Sequence, residues 1–376
     1  HPACRELVAL KEKWDGYDNG RIRVEASVHG EYTSDYRLWD ALSEFAINEK
    51  AGMHVHLSET KAEHEQCLER NGLTPAQVLD CHHVFDTRAI AAHCVWVTPE
   101  DMRLLAKRGV TAVHCPVSNL KLASGCAPVT EMVKAGMNVA LGTDSSASNN
   151  NLDLFEEMKA AALMAKVTSG DPKALPVEAV LMMATVCGAR AQGREAECGM
   201  LKLGMDADLV LLDFTSPHLM PCHNVMSHLV YAASGHDVVM TMVRGQVLYA
   251  AGKYPTIDLD SVVRELSGYV MPRIFRTEGK TDRSFRVGAK CFVGTRGAVE
   301  SDACHDPIST VQLICCPCHI KLTRLDGDNG APVAGIFFSN HAKLHFRWVH
   351  RKDPINKISG QIQFVLKHFC HRYMLQ

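Results

Sequence analysis

His54-Val55-His56-Leu57-Ser58-Glu59, Ala92-His93-Cys94 and Leu141-Gly142-Thr143-Asp144 each close an apolar run that reads as a buried strand. Imidazole and carboxylate side chains together suit a divalent cation such as zinc, iron or manganese. Such a cation lowers the pKa of a bound water from 15.7 toward ~7, which makes hydroxide available at neutral pH. If the strands are parallel neighbours, their carboxyl ends meet at one pocket. His56, Glu59, His93 and Asp144 then come within reach of one ion and one water, a set for metal-dependent hydrolysis.

Those residues need elements to hold them. Arg21–Val28, Met53–Leu57, Ala89–Val95, Val110–His114 and Met137–Leu141 read as strands from their β-branched and apolar runs. Between them lie helices. One starts at Ser34 or Asp35 and runs to about Lys50, with Leu38, Leu42, Phe45 and Ala46 at helical spacing. Lys61–Arg70 is a charged surface helix stopped at Asn71-Gly72. Thr98-Pro99-Glu100 supplies a cap, a first-position proline and a first-turn acid. Thr130–Ala135, Leu152–Ser169 and Pro176–Ala191 follow as helices. This alternation is the signature of a parallel sheet with crossover helices. From Cys198 the pattern changes. Gly199–Asp213 reads as a turn into a strand, Val238–Tyr249 as a hairpin around Arg244-Gly245, and Asp260 to about Ile274 as a closing helix.

Composition narrows the class without naming it. The chain has 376 residues and a net charge of -2, which gives no case for binding nucleic acid. No apolar stretch reaches the ~20 residues that span a bilayer. The 15 cysteines are scattered, several in apolar runs, which reads as reduced core thiols. No secretory leader is visible, and a cytoplasmic protein is expected.

The longer strings carry a resemblance. Val55-His56-Leu57-Ser58-Glu59-Thr60, Ala92-His93-Cys94-Val95, the stretch from His114 through Cys115-Pro116-Val117-Ser118-Asn119 to Gly125, and Leu141–Asn150 stand in order with suitable gaps. With Met205-Asp206-Ala207-Asp208-Leu209-Val210, they make residues 20 to about 275 resemble the amidohydrolase superfamily. The likeness is greatest to its 5-methylthioadenosine/S-adenosylhomocysteine deaminase and chlorohydrolase branch, and it covers roughly two thirds of the chain.

The resemblance implies an α/β fold: a partial TIM (β/α)8 barrel, strands 4 to 8, over residues 1–195, then part of a small β-sandwich with its closing helix over residues 196–277. It implies one divalent metal ion, zinc first, with iron or manganese as alternatives. His56 is then a metal ligand on the fifth strand, and Asp144 a ligand on the eighth that also shuttles a proton. Glu59 protonates a ring nitrogen of the substrate, His93 orients the attacking water, and His29 and Ser148 line the substrate pocket. The substrate implied is an adenosine-like purine nucleoside, deaminated to the inosine analogue and ammonia. No nucleic acid or membrane partner is expected, and a homo-oligomer is allowed but not required.

One departure matters. The family carries a His-x-His pair on its first strand, and no matching segment precedes His29. His54-Val55-His56 has that form, but its register with Glu59 assigns it to the fifth strand, so His54 reads as a pocket or structural histidine. The chain starts at His1 with a helix already under way over residues 3 to 13. The expectation is therefore an N-terminally truncated sequence lacking the first three strands, inactive alone and restored by an upstream extension.

Other features take plainer readings. His82-His83 flanks a helix end at the surface, and His223 and His228 are structural. His114 and Cys115 either line the pocket or merely close their strand. Residues 278–376 show an excess of Lys and Arg over Asp and Glu, opposite to the rest, and little periodicity. They are expected to be non-native sequence, such as a read-through, or disordered. Cys315-Cys316-Pro317-Cys318-His319 lacks the second ligand pair of a structural zinc site. A cytidine-type zinc deaminase needs His-x-Glu followed by Pro-Cys-x-x-Cys, and only His29-Gly30-Glu31 fits. The remaining alternatives are a related hydrolase of guanine, cytosine or a triazine, and a catalytically dead barrel serving as a binding module.

Overall fold

The computed structural model describes residues 2–274 and the backbone of three strands at residues 310–315, 318–326 and 332–338. It divides into a first unit, residues 1–262, and a second from residue 263 onward.

The first unit is built on a parallel sheet of five strands in chain order: β1 (Ala26–Val28), β2 (Met53–Leu57), β3 (Ala89–His93), β4 (Thr111–His114) and β5 (Asn138–Leu141). Every neighbouring pair is parallel. The register aligns Leu57 with His93 and His114 with Leu141. All carboxyl ends therefore emerge on the same edge, as the alternating pattern requires. β1 is shorter than the Arg21–Val28 run. Its first residues, though they include branched Ile22 and Val24, lie outside the sheet pairing, which begins at Ala26.

Pleating decides which side chains meet. In β2, Met53, Val55 and Leu57 point one way and are fully buried, each contributing ~1.5–3 kcal/mol. They pack with Ala26, Val28, Ala89, Ala91, Ala112 and Val139 beneath the helices. His54 and His56 take the opposite face of the same strand. There Ile90 and Ala140 form a smaller cluster with Ala191, joined by Val113 and Cys187.

The helices begin where the caps dictate. Asp35 caps Tyr36–Asn48 by accepting from the Arg37 and Leu38 amides. Thr98 and Asp101 form a reciprocal capping box at Pro99–Arg108, and Thr74 and Gln77 do the same at Pro75–Cys81. The stretch Pro176–Ala191 is two helices rather than one, Val177–Met183 and Val186–Ala191. Thr185 breaks them with φ −131° and ψ −90°, a local geometry that apolar spacing does not encode.

Beyond the parallel sheet, β6 (Leu209–Leu212), β7 (Val238–Val243) and β8 (Gln246–Ala250) form an antiparallel sheet in that order. Arg244 and Gly245, both at positive φ, make the hairpin turn. The closing helix is irregular, with a π-helical stretch at Leu266–Val270 between helical turns. In the second unit, β9 (Thr310–Cys315), β10 (Cys318–Asp326) and β11 (Pro332–Phe338) pair antiparallel in a region whose sequence shows little periodicity. The rest of the expectation for residues 278–376 lies outside the described residues, as do the side chains of the Cys315–His319 run.

Candidate active site at the carboxyl edge of the sheet

His56 leaves the end of β2 with its ring already oriented. Its Nδ1–H donates to the His29 carbonyl oxygen at 2.6 Å, and its backbone amide reaches the same oxygen at 3.0 Å. A carbonyl only accepts, so Nδ1 holds a proton, and in the neutral ring Nε2 then carries the lone pair, the arrangement of a metal-ligating histidine. The His29 ring lies 4.8 Å from His56 between centroids, and its own Nδ1 meets Thr33 Oγ1 at 3.2 Å.

His93 ends β3. It is 2% exposed and stacks on His56 at 5.4 Å between centroids. Its Nδ1–H donates to Asn119 Oδ1 at 2.9 Å, so in the neutral ring Nε2 is the acceptor nitrogen. Nε2 lies 3.7 Å from Glu59 Oε2, too far for a direct hydrogen bond but close enough to share a small ligand. Glu59 accepts from Ser124 Oγ at 3.2 Å.

Asp144 follows β5. Its Oδ2 accepts from both Ser118 Oγ and Ser148 Oγ at 2.6 Å, and its Oδ1 from the Ser145 amide at 2.6 Å. Burial pushes the carboxyl up. The bonds from Ser118, Ser148 and Ser145, with the nearby His93, outweigh that and hold it below the ordinary carboxylate range. Asp144 is therefore an anion at neutral pH.

The six sequence-derived residues fall at this one edge: His29 after β1, His56 and Glu59 at β2, His93 at β3, and Asp144 and Ser148 after β5. Three partners were not assigned roles from sequence: Ser118, Asn119 and Ser124. All lie within the His114–Gly125 string that carried the resemblance, so the signal was present without its meaning. His114, which ends β4, is 2% exposed with no hydrogen-bond partner at Nδ1 among the described residues. Burial, and then His93, push its pKa down to about 3, so it stays neutral.

Backbone strain gathers here. Ser58 (φ 48°), His93 (φ 69°), Cys94 (φ 48°) and Asp144 (φ 58°) all occupy the left-handed region. Each such residue costs of order 1 kcal/mol or more and persists only where surroundings hold it.

An imidazole nitrogen at His56 and a carboxylate at Asp144 are donor types that a divalent ion takes. Among the described residues, however, no group of three or more His, Cys, Asp or Glu is placed to hold a metal. Two donors of the right kind are present without a closed ligand set. The plainer readings also hold geometrically. His82 meets Asp40 at 2.7 Å and His83 meets Asp86 at 2.7 Å, at a helix end. The nine cysteines within residues 2–274 are free. None of the described helices is long and apolar enough to cross a membrane.

Comparison with known proteins places these features in context. The family model described as "Amidohydrolase family" matches residues 1–248. The chain is 43% identical over 260 residues to a 5-methylthioadenosine/S-adenosylhomocysteine deaminase of Moorella thermoacetica, covering 69% of this chain and 61% of that protein. It is 46% identical over 252 residues to a 5'-deoxyadenosine deaminase of Methanosarcina mazei, covering 67% and 58% respectively. Among solved structures, an adenosine deaminase from Xanthomonas campestris with bound zinc matches at TM-score 0.68 and 33% identity, over 70% of this chain and 60% of that one. The chain thus spans about 60% of the length of the relatives it matches.

Proposed function

Because the chain belongs to the amidohydrolase family, we propose that it is the strand-4-to-8 part of a (β/α)8 barrel with part of a β-sandwich, from a metal-dependent aminohydrolase acting on an adenosine-like purine. On this reading residues 1–195 are barrel and 196–277 are sandwich with closing helix. The observation that carries it is the placement of Glu59 and His93 3.7 Å apart beside the anionic Asp144, at the ends of parallel strands.

Each residue then has a task. A divalent ion, zinc by analogy with the zinc-bound relative, supplies an acidified water when bound, with His56 and Asp144 among its ligands. His93, its Nδ1 proton committed to Asn119, offers Nε2 as acceptor and orients the water. Glu59 holds a proton for the ring nitrogen next to the amine-bearing carbon, making that carbon easier to attack. Asp144, held as an anion, takes the water's proton and delivers it to the leaving ammonia. His29 and Ser148 border the space where the nucleoside sits. The partner is a small purine nucleoside in a cytoplasmic setting, and a homo-oligomer is compatible with the chain.

A ring-protonating glutamate favours an amino-substituted heteroaromatic ring over an amide. Guanine, cytosine and triazine substrates are the alternatives. The test is ammonia release by the complete gene product from 5-methylthioadenosine, S-adenosylhomocysteine, adenosine and guanine. Turnover is expected on an adenosine-like substrate, with Glu59→Gln lowering kcat by about 10²–10⁴-fold. Undiminished turnover in that variant, or release only from guanine, overturns the reading.

A further inference from the structure

Glu63 is 6% exposed and stands three residues after the Thr60 cap of the helix Lys61–Asn71, where a capping box would place it. Its backbone amide does donate to Thr60 Oγ1 at 3.1 Å. Its carboxylate also reaches backbone amides that precede the cap, which the three capping boxes among the described residues do not. Gln77, Asp101 and Asp237 each reach back to the amide of their own cap residue, Thr74 at 3.0 Å, Thr98 at 2.9 Å and Ser234 at 2.8 Å. The Glu63 carboxylate extends past its cap. Oε1 accepts from the Ser58 amide and Oε2 from the Glu59 amide, both at 2.8 Å. Ser58 is the residue at φ 48°, and its Oγ is held by His64 Nδ1 at 3.2 Å.

We propose that Glu63 is a positioning residue: its buried carboxylate grips the two amides of the turn leaving β2 and so fixes where the Glu59 side chain projects. The proposal rests on the role given to Glu59 above. A carboxylate offers two acceptor oxygens and no donor, which matches two consecutive amides. A left-handed Ser58 needs such a clamp, because without it the turn relaxes toward ordinary φ and rotates Glu59 away from His93. Position matters because a small displacement of a reacting group is enough to lower the chemical rate. Gln at this site keeps size but presents an NH2 to one of the two amides, leaving one bond unmade.

The experiment compares wild type, Glu63→Gln, Thr60→Ala, Glu59→Gln and the Glu59→Gln/Glu63→Gln double variant. Hydrogen exchange at the Ser58 and Glu59 amides is measured alongside kcat and KM on the substrate found above. Glu63→Gln is expected to speed exchange at those two amides by about 10-fold or more. It is also expected to lower kcat by about 10–100-fold with KM within about 3-fold. Thr60→Ala weakens the same helix start without touching the two bonds, and should leave kcat nearly unchanged. In the Glu59→Gln background the second change should cost nothing further, because Glu63 acts only through Glu59. Unchanged exchange, an equal kcat loss in Thr60→Ala, or losses that multiply in the double variant each overturn the proposal. If no purine is turned over, the proposed function fails by itself, and the exchange rates still decide whether Glu63 holds this turn.

Discussion

Replacing His114 with Met removes a base that the folded protein declines to protonate. The imidazole is buried at the end of β4, and its Nδ1 has no partner among the described residues. Its pKa falls from 6.5 to about 3, through burial first and His93 second. The folded value lies below the unfolded one, so the unfolded chain binds the extra proton. Stability is complete above pH ~6.5 and declines as pH drops toward 3. The slope is ~1.4 kcal/mol per pH unit, so the loss approaches ~5 kcal/mol at the lower end, comparable to the whole stability of many domains. Urea midpoints for wild type and His114→Met between pH 7 and pH 4 isolate the effect, because other carboxylates contribute equally to both. At neutral pH the two should differ by less than ~1.5 kcal/mol, since a ring whose Nδ1 has no partner among the described residues gives way to an apolar chain of similar bulk. Below pH ~6.5 the wild type should lose ground to the variant by ~1.4 kcal/mol per pH unit. A difference that stays flat with pH would refute the argument.

Ser118→Ala removes one of the two hydroxyl donors to Asp144 Oδ2, so the carboxyl pKa should rise and stability at neutral pH should fall by about 1 kcal/mol. A carboxyl titration followed by NMR checks this, and an unmoved titration counts against the cradle. Gly125→Ala should destabilise by about 1–3 kcal/mol. Its φ is +129°, and an added Cβ would lie 2.9 Å from Val95 Cγ1 and 3.4 Å from the Trp96 ring. Because Trp96 Nε1 donates to the Ser124 carbonyl at 2.8 Å, indole fluorescence should shift with the loss, and an unaltered spectrum at full stability contradicts the packing.

Much of the scaffold was legible because it depends on local periodicity. Apolar runs marked the five strands of the parallel sheet, and Asp35 and Thr98 stood at helix starts because short polar side chains satisfy free amides there. The limits of this reading are equally physical. Branched residues at Arg21–Val28 suggested a longer strand than pairing allows, and the Thr185 break is a backbone event with no side-chain period. The three strands after residue 309 have no clear pattern to announce them.

The sequence alone determined the donor types and their order: imidazole and carboxylate at His56, Glu59, His93 and Asp144, each closing an apolar run. Alternation along β2 even put His54 and His56 on one face. Tertiary structure alone decided which proton sits where. His56 and His93 each commit Nδ1 to an oxygen 27 or 26 residues away. Asp144 is held as an anion by serines from two different short helices, Pro116–Lys121 and Ser146–Asn149. The left-handed backbone at Ser58, His93 and Asp144 is likewise invisible in the sequence. No L-residue prefers that conformation, so only the contacts closing around it can supply the free energy that holds it.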